Sequence, residues 1–246
     1  PSCVPATPLD ESGANLDYRA IDSFYDHPRV QGLAEMMNYP GVLLEDRDVY
    51  QKIGDALEQG KVVDGHAPFL SGKDLDKYVC AGITSDHECS TADEAIEKIR
   101  KGQWVMIRQG TAARNLTELL PLFDGAYCHR CILVTDDRHP ADLMRDGHID
   151  NIIRLAVKHG KSVITAIKMA TIQAAQCFGL RFVGAVAPGY RADLLVLNDL
   201  NTVDIEDVYS RGEKVVQCKR MKAFDCPKID ERLYQVTHNS FHTKEF

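Results

Sequence analysis

The sequence predicts a protein of the α/β class, in which parallel strands alternate with helices and a smaller β-rich element follows. Short apolar runs alternate with amphipathic stretches, at about thirty residues for each strand–helix pair, which is typical of βαβ units. Near residue 183 the pattern changes to apolar runs bounded by Gly, without helical periodicity. The 246 residues are 44% hydrophobic and 26% charged, a composition that supplies a large globular core.

Six apolar runs in the first part of the chain are predicted to be buried parallel strands. Each has four to six residues, is rich in aliphatic side chains and is bounded by Gly, Asp or Pro. The runs are Cys3–Ala6, Val30–Glu35, Val62–His66, Gly82–His87, Trp104–Arg108 and Cys131–Asp136. A closed parallel barrel contains eight strand–helix units, so this pattern is two units short of one.

Helix start and stop residues lie between these runs. Ser71 precedes a helix that ends at Gly82, and Ser90 and Thr91 open another that stops at Gly102. Asn115 is predicted to cap a third helix before Pro121. After the sixth run, the periodicity predicts two longer helices, at 149–159 and 163–178.

These patterns divide the chain into three parts. Residues 1–182 are predicted to form the partial barrel. Residues 183–216 supply the strands of a small β-domain, with a tight hairpin over residues 211–213. Residues 217–246 are mixed and polar, and they receive no assignment.

Charge and composition exclude several classes of function. The net charge of −7 and the pI near 5.7 argue against a nucleic-acid partner, since nucleic-acid binders present a basic face. The absence of a run of eighteen apolar residues argues against a membrane span. Eight cysteines are scattered through a chain with an adequate core, which predicts reduced thiols and a cytoplasmic location.

Four side chains that bind metals stand at the ends of four different predicted strands. They are Glu35, His66, His87 and Asp136. The carboxyl ends of parallel barrel strands converge on one mouth, so these residues should meet there. Taken singly, each is more often a hydrogen-bonded residue or a helix cap. Their recurrence at the same place favours a site for Zn²⁺, Mn²⁺ or Fe²⁺, with room for two ions bridged by a carboxylate.

Other polar residues flank this mouth. Asp137 follows Asp136, and strand alternation turns only one of the two into the mouth, so Asp136 is the preferred ligand and Asp137 a contact to backbone or substrate. His148 begins a helix, where a solvated or capping role and a catalytic role are both open. Arg108 and Arg114 bracket a Gly- and Ala-rich loop that either approaches a ligand or forms a plain turn.

Taken in order, several motifs closely resemble bacterial adenine deaminases of the amidohydrolase superfamily. They are Gly65–Pro68, Ser85–Glu88, Met106–Asn115, Thr135–Pro140 and Gly147–Asp150. A further segment, Ala187–Leu194, is similar to amidohydrolases in general, where the chain returns to the small β-domain. The resemblance implies a TIM-like (β/α)₈ barrel with a binuclear site for Mn²⁺ or Fe²⁺, with Zn²⁺ as another option. It also implies hydrolysis of a purine substrate, adenine, to hypoxanthine and ammonia.

The same resemblance implies the metal ligands, and the remaining roles are mechanistic hypotheses. His66 and His87 correspond to the ligands of strands five and six, Asp136 to the aspartate of strand eight and Glu35 to the bridging carboxylate of strand four. Asp136 would take the proton of the metal-activated water and pass it toward the leaving amine. Glu88 is the candidate for protonating the purine ring. Arg108, Asp137 and His148 are the candidate substrate-binding residues.

One motif of the superfamily is absent, because no His-x-His pair of strand one occurs in the sequence. The visible strands would therefore be numbers three to eight, and the chain is expected to be an incomplete portion of the enzyme. Two alternatives stay open: another amidohydrolase that acts on a cyclic amide or amino-heterocycle, and an inactive amidohydrolase-like scaffold. Such enzymes often associate, so a homo-oligomer is among the options, although no interface can be assigned.

Overall fold

The strands of the first part of the molecule form two parallel sheets. The computed structural model describes residues 2, 4, 5 and 11–223. Strand β1 pairs with β2, and β3, β4 and β5 pair in that order, all in parallel. The strands are β1 (Gly32–Met36), β2 (Val62–Gly65), β3 (Ser85–Asp86), β4 (Trp104–Arg108) and β5 (Cys131–Val134).

The two sheets meet between β2 and β3. The backbone N–H of Thr84 donates to the carbonyl of Val63 at 3.1 Å, and the N–H of Gly65 donates to Ser85 Oγ at 3.2 Å. A Cβ at Gly65 would overlap the carbonyl oxygen of Ser85, so only glycine permits this approach. The five strands therefore follow chain order with one direction, and their carboxyl ends share one edge.

Five of the six predicted strands are confirmed. The first predicted run, 3–6, falls mainly outside the described residues. Its described members, Val4 and Pro5, form a bend. That prediction is therefore wrong for those two residues, where the chain turns instead of extending.

The helices pack on both faces of the second sheet. Val105 and Leu133 face most of them, whereas Met106 and Ile132 on the other face pack against Cys177 in the last helix. The helices after β2 and β3 match the predictions at Ser71 and Ser90. The helices are α1 (Tyr18–Asp22), α2 (Tyr39–Leu43), α3 (Arg47–Glu58), α4 (Gly72–Cys80), α5 (Ala92–Arg100), α6 (Leu116–Leu119), α7 (Pro140–Asp146), α8 (Ile149–Lys158), α9 (Val163–Ala170) and α10 (Ile172–Cys177).

Two helical predictions need correction. The single helix expected over 163–178 is interrupted at Thr171, whose backbone (φ −127°, ψ −94°) leaves the helical region and separates α9 from α10. Asn115 precedes α6, but its side chain makes no capping hydrogen bond. Its amide instead reaches across to the loop after β3, at 3.2 Å from the carbonyl of His87.

Helix α3 is absent from the sequence prediction although its start residues are present. The side chain of Asp46 accepts from the N–H of Val49 at 3.0 Å, an ordinary N-cap. Val49, Ile53 and Ala56 are buried at helical spacing. Polar residues stand between them, so this narrow apolar stripe does not form a continuous apolar run in the sequence.

The last part of the described chain is an antiparallel sheet of four strands in chain order. The predicted hairpin over residues 211–213 is confirmed: Arg211 and Gly212 have φ of 51° and 86°, as a type I′ turn requires. The strands are β6 (Leu194–Asp199), β7 (Asp204–Ser210), β8 (Glu213–Gln217) and β9 (Arg220–Met221). The domain boundaries after 182 and 216 stay predictions. Residues 224–246 of the unassigned tail lie outside the described residues.

Among the described residues, no helix combines the length and apolar character needed to cross a lipid bilayer.

Candidate metal centre

The four predicted ligands all lie at the carboxyl edge of the parallel strands. Glu35 is the penultimate residue of β1, and His66 and His87 directly follow β2 and β3. Asp136 comes two residues after β5 and has φ of 53°, a left-handed conformation that Asp tolerates better than most residues. The shared strand direction thus brings together side chains that are up to 101 positions apart in the printed sequence, from 35 to 136.

Three of these side chains converge on one point. Glu35 Oε2 lies 2.9 Å from His87 Nε2 and 3.1 Å from His66 Nδ1. The two imidazole nitrogens lie 3.3 Å apart. The rings meet edge to face, with centroids 5.2 Å apart and an interplanar angle of 67°. We call Glu35, His66 and His87 the inner cluster.

The inner cluster fits a divalent metal ion. Ligand bonds of about 2.1 Å in a tetrahedral site place donor atoms roughly 3.4 Å apart, close to the separations seen here. Two imidazoles and one carboxylate are also a donor set that Zn²⁺, Mn²⁺ and Fe²⁺ accept. The structure therefore has three donor atoms placed where one ion could contact them all.

The charges of the inner cluster are mutually stabilising. Hydrogen bonds from His66 and His87 hold the pKa of Glu35 well below its usual range, against the effect of partial burial. Burial opposes a charge on His87, but the contact with Glu35 outweighs it, so the pKa of His87 is raised. A metal ion at His87 would therefore compete with a proton for the same ring nitrogen.

A second group of donor atoms adjoins the first and shares His87. It consists of His87, Glu88 and Asp136, which we call the outer cluster. Glu88 Oε1 lies 3.5 Å from the nearest nitrogen of each histidine. The fourth predicted ligand, Asp136, therefore joins His87 and Glu88, and the inner cluster is formed without it.

Arg108 lies across the outer cluster. Its Nη1 and Nη2 donate to the two carboxylate oxygens of Glu88 at 2.6 and 2.7 Å, and Nη1 also contacts Asp136. Burial alone would lower the pKa of Arg108, yet these carboxylates raise it. Its Nε is buried and has no partner among the described residues. The outer cluster thus already contains a cation, supplied by the protein itself.

The remaining predicted residues have different surroundings. His148 Nε2 lies 3.1 Å from the hydroxyl of Thr135, so its ring stands beside the loop that carries Asp136. The side chain of His148 makes no capping bond to α8. The carbonyl of Asp137 accepts from the N–H of Thr111, 2.9 Å away, which ties the loop after β4 to the loop after β5. Arg114 donates to the carbonyls of its own loop, at Gly110 and Thr111.

Asp64 belongs to the site but was not among the sequence candidates. Its carboxylate accepts from the N–H of Gly65 at 2.9 Å and from the hydroxyl of Ser85, and burial raises its pKa. It lines a cavity of about 280 Å³ together with Glu35, His87, Met106, Val134 and Phe178, among others. The sequence does indicate this placement. Asp64 and His66 are two positions apart at the end of β2, and alternation directs side chains at that spacing to the same side.

The fold and the ligand cluster define a class of protein, and comparison with known proteins identifies it. The chain belongs to the amidohydrolase family, whose model matches residues 1–215. The structure resembles crystal structures of a β-aspartyl dipeptidase from Fervidobacterium islandicum AW-1 (TM-score 0.65, 17% identity, 91% of this chain and 64% of that one) and of an N-acetyl-D-glucosamine-6-phosphate deacetylase from Mycobacterium smegmatis (TM-score 0.63, 18% identity, 85% and 63%). These likenesses confirm the partial barrel.

Among individual relatives, the similarity is to adenine deaminases, as the motifs imply. The chain is 52% identical over 217 residues to the adenine deaminase of Nitratidesulfovibrio vulgaris (strain Hildenborough), covering 88% of this chain and 38% of that protein. It is 48% identical over 245 residues to adenine deaminase 2 of Carboxydothermus hydrogenoformans, covering 100% and 42%. The chain thus spans about two-fifths of the length of the curated relatives it matches.

Proposed function

We propose that this chain supplies the metal-binding part of an enzyme that hydrolyses adenine to hypoxanthine and ammonia. The observation that carries the proposal is the inner cluster, where two imidazole nitrogens and a carboxylate oxygen lie within 3.3 Å of one another. The 52% identity to an adenine deaminase supports the choice of substrate. The cofactor would be a divalent cation, with Mn²⁺ or Fe²⁺ in a binuclear site as the first choice and Zn²⁺ as the second.

The reaction replaces the C6 amino group of the purine with oxygen from water. A bound divalent metal lowers the pKa of water toward 7 and so provides a nucleophile at neutral pH. Glu35, His66 and His87 would hold the inner ion. Asp136 is proposed both as the ligand of a second ion and as the base that accepts the proton from water and delivers it to the leaving amine. Ammonia would leave with one proton of the water, the other would replace the proton that Glu88 gives to the ring, and the ring would keep the new oxygen as hypoxanthine.

The cavity beside the inner cluster is suited to a flat heterocycle. Met106, Val134 and Phe178 contribute apolar surface, and Asp64 and Asp136 contribute polar groups. An apolar wall with few convergent polar groups is the usual form of a small-molecule site. The purine ring would therefore pack against the apolar residues with its amino group toward the metal ligands.

Glu88 and Arg108 act together in this proposal. Glu88 must give a proton to the purine ring, but both of its oxygens accept hydrogen bonds from the guanidinium of Arg108. The pair must therefore separate before Glu88 faces the substrate, and Arg108 would then be free to orient the ring. Asp137 and His148 are proposed as further substrate contacts from the loops that follow β5.

The test is metal content and adenine turnover, measured on the complete gene product that contains these residues. We expect bound Mn²⁺, Fe²⁺ or Zn²⁺ by elemental analysis, and conversion of adenine to hypoxanthine with release of ammonia. Dihydroorotate and cytosine should not be hydrolysed. Metal binding with turnover of another amino-heterocycle would reassign the substrate, whereas the absence of metal from the active protein would contradict the site.

A further inference from the structure

A buried ion pair lies directly behind the inner cluster. Lys98 Nζ in α5 lies 2.9 Å from Asp86 Oδ2 in β3, and both side chains are 0% exposed. Lys98 also contacts Glu94, 2.8 Å away and one turn earlier in the helix. Asp86, Cys89 and Glu94 are grouped closely enough to hold an ion, but the ammonium of Lys98 already lies among them. This group is therefore a salt-bridge network, with Lys98 as its cation.

The network holds the backbone next to both histidines. Lys98 Nζ donates to the carbonyl of Ala67 at 2.7 Å, and Asp86 Oδ1 accepts from the N–H of the same residue at 2.7 Å. Ala67 follows His66, so both polar groups of that residue are fixed by the ion pair. Asp86 precedes His87, and its Oδ2 accepts from the N–H of Glu88 at 3.1 Å.

Glu94 extends the same connection. Its Oε1 accepts from the N–H of Phe69 at 3.0 Å, and its Oε2 accepts from the N–H of Ser90 at 2.9 Å. Phe69 belongs to the loop after β2 and Ser90 to the loop after β3. One turn of α5 therefore connects the two segments that follow His66 and His87.

The two hydrogen bonds described between β2 and β3 involve residues up to Gly65 and Ser85, and His66 and His87 lie beyond them in the loops that the ion pair connects. We propose that the Lys98–Asp86 pair is a positioning device that sets the separation of His66 and His87 for metal binding. The inference deepens the proposed function, since it rests on the two histidines being metal ligands. It assigns no catalytic step to Lys98, whose side chain is buried away from the mouth.

The test compares Co²⁺ binding by the complete gene product and by Lys98→Met. Methionine keeps most of the length of the side chain and removes the ammonium. We expect the dissociation constant for Co²⁺ to rise about ten- to a hundredfold, as is typical when a group that orients a metal ligand is lost. The visible absorption of the remaining Co²⁺ complex should also change, since it reports the arrangement of the ligands.

Lys52→Met is the matched control. Lys52 is also a buried helical lysine, 6% exposed, paired with Asp48 at 2.7 Å, but it lies in α3 and its partner belongs to neither cluster. Both variants should lower the melting temperature. Only Lys98→Met should weaken Co²⁺ binding.

A double variant separates positioning from general stability. Asp86→Asn combined with Lys98→Met removes the fully buried carboxylate that Lys98→Met leaves without its cation, so the double variant should be more stable than Lys98→Met alone. The carbonyl of Ala67 still lacks its donor, so Co²⁺ binding should stay weak. Recovery of both stability and Co²⁺ affinity would show that Lys98 acts through stability alone and would overturn the inference.

Two further outcomes are distinguishable. If the parent protein binds Co²⁺ and Lys98→Met binds it equally well, the positioning role is wrong and the proposed function stands. If the parent protein binds no divalent metal, the proposed function fails, and this inference fails with it.

Discussion

His66 Nδ1 and His87 Nε2 lie 3.3 Å apart, although the two residues follow strands of different sheets. Both nitrogens also contact the same oxygen of Glu35. Neither ring could be placed so by its own strand alone. The separation depends on the packing of β2 against β3 and on the backbone contacts behind the loops.

Replacing His66 with Asn should remove one ligand of the inner cluster. We expect at least a tenfold loss of divalent metal affinity, because affinity depends on the full ligand set and its geometry. His159→Asn is the control, since His159 is an exposed C-cap of α8. Elemental analysis after dialysis against a weak chelator would measure the loss. Equal metal content in both variants would exclude His66 as a ligand.

Metal affinity should fall as the pH falls through the raised pKa of His87. A metal ion and a proton compete for the same nitrogen. The contact with Glu35 and neighbouring carboxylates raises the pKa of His87 by more than burial lowers it. Competition should therefore begin at a higher pH than for an ordinary histidine. Co²⁺ titrations between pH 5 and 8, a window around the ordinary histidine pKa of about 6.5, would show this. Affinity that does not change across the window would contradict it.

Asp136→Asn should lower the rate of adenine turnover by about a hundredfold or more, while the inner cluster keeps its metal. The amide cannot accept the proton, but it leaves Glu35 and both histidines in place. Asp137→Asn is the neighbouring control: Asp137 contacts the adjacent loop through its backbone carbonyl, which the substitution preserves. We expect a smaller effect there. Turnover by Asp136→Asn at the parent rate would remove Asp136 from the mechanism.

Gly65→Ala should destabilise the protein by roughly 3 kcal/mol or more and disturb the site, because its Cβ would overlap the carbonyl of Ser85 between the two sheets. Gly54→Ala is the opposite case, with open space around its Cβ inside α3. That substitution should stabilise the protein by up to about 1 kcal/mol. Urea unfolding of the two variants would measure both effects. Tolerance of alanine at 65 would mean that β2 and β3 do not approach as described.

Tyr25→Phe should be neutral or slightly stabilising near pH 7. The hydroxyl of Tyr25 is buried without a hydrogen-bond partner among the described residues, and removing an unsatisfied group costs little. Burial raises the pKa of Tyr25 to about 12, so the folded state holds its proton more tightly than the unfolded state. The contribution of Tyr25 to the free energy of unfolding is therefore constant below the ordinary tyrosine pKa near 10. It decreases as the pH rises toward 12, because the unfolded state loses the proton first.

The phenylalanine variant should therefore unfold less readily than the parent between pH 10 and pH 12. Tyr50→Phe, at a tyrosine that is 36% exposed, serves as the control and should follow the parent curve. Urea melts at pH 7 and at alkaline pH would compare the three proteins. Parallel loss of stability in all of them would show that Tyr25 ionises normally in the folded state.

The sequence by itself determined the class of fold and the ligand candidates. Apolar runs and caps such as Ser90 and Thr91 are local features, since a strand or helix is selected by side chains within a few residues of one another. The placement of Glu35, His66 and His87 at strand ends also follows from the sequence, because parallel strands present their carboxyl ends to one edge. The motifs additionally indicated the family.

The tertiary structure alone decided which donors share a point and what surrounds them. Asp136 falls into the outer cluster, and Arg108 lies on Glu88 and Asp136, because side-chain length and loop conformation set contacts across strands. For the same reason, the side chain of Asn115 does not cap α6 as predicted but donates a hydrogen bond to the carbonyl of His87. The ion pair of Lys98 and Asp86 joins residues twelve positions apart through burial. Such pairings depend on packing between elements, which no local pattern of residues encodes.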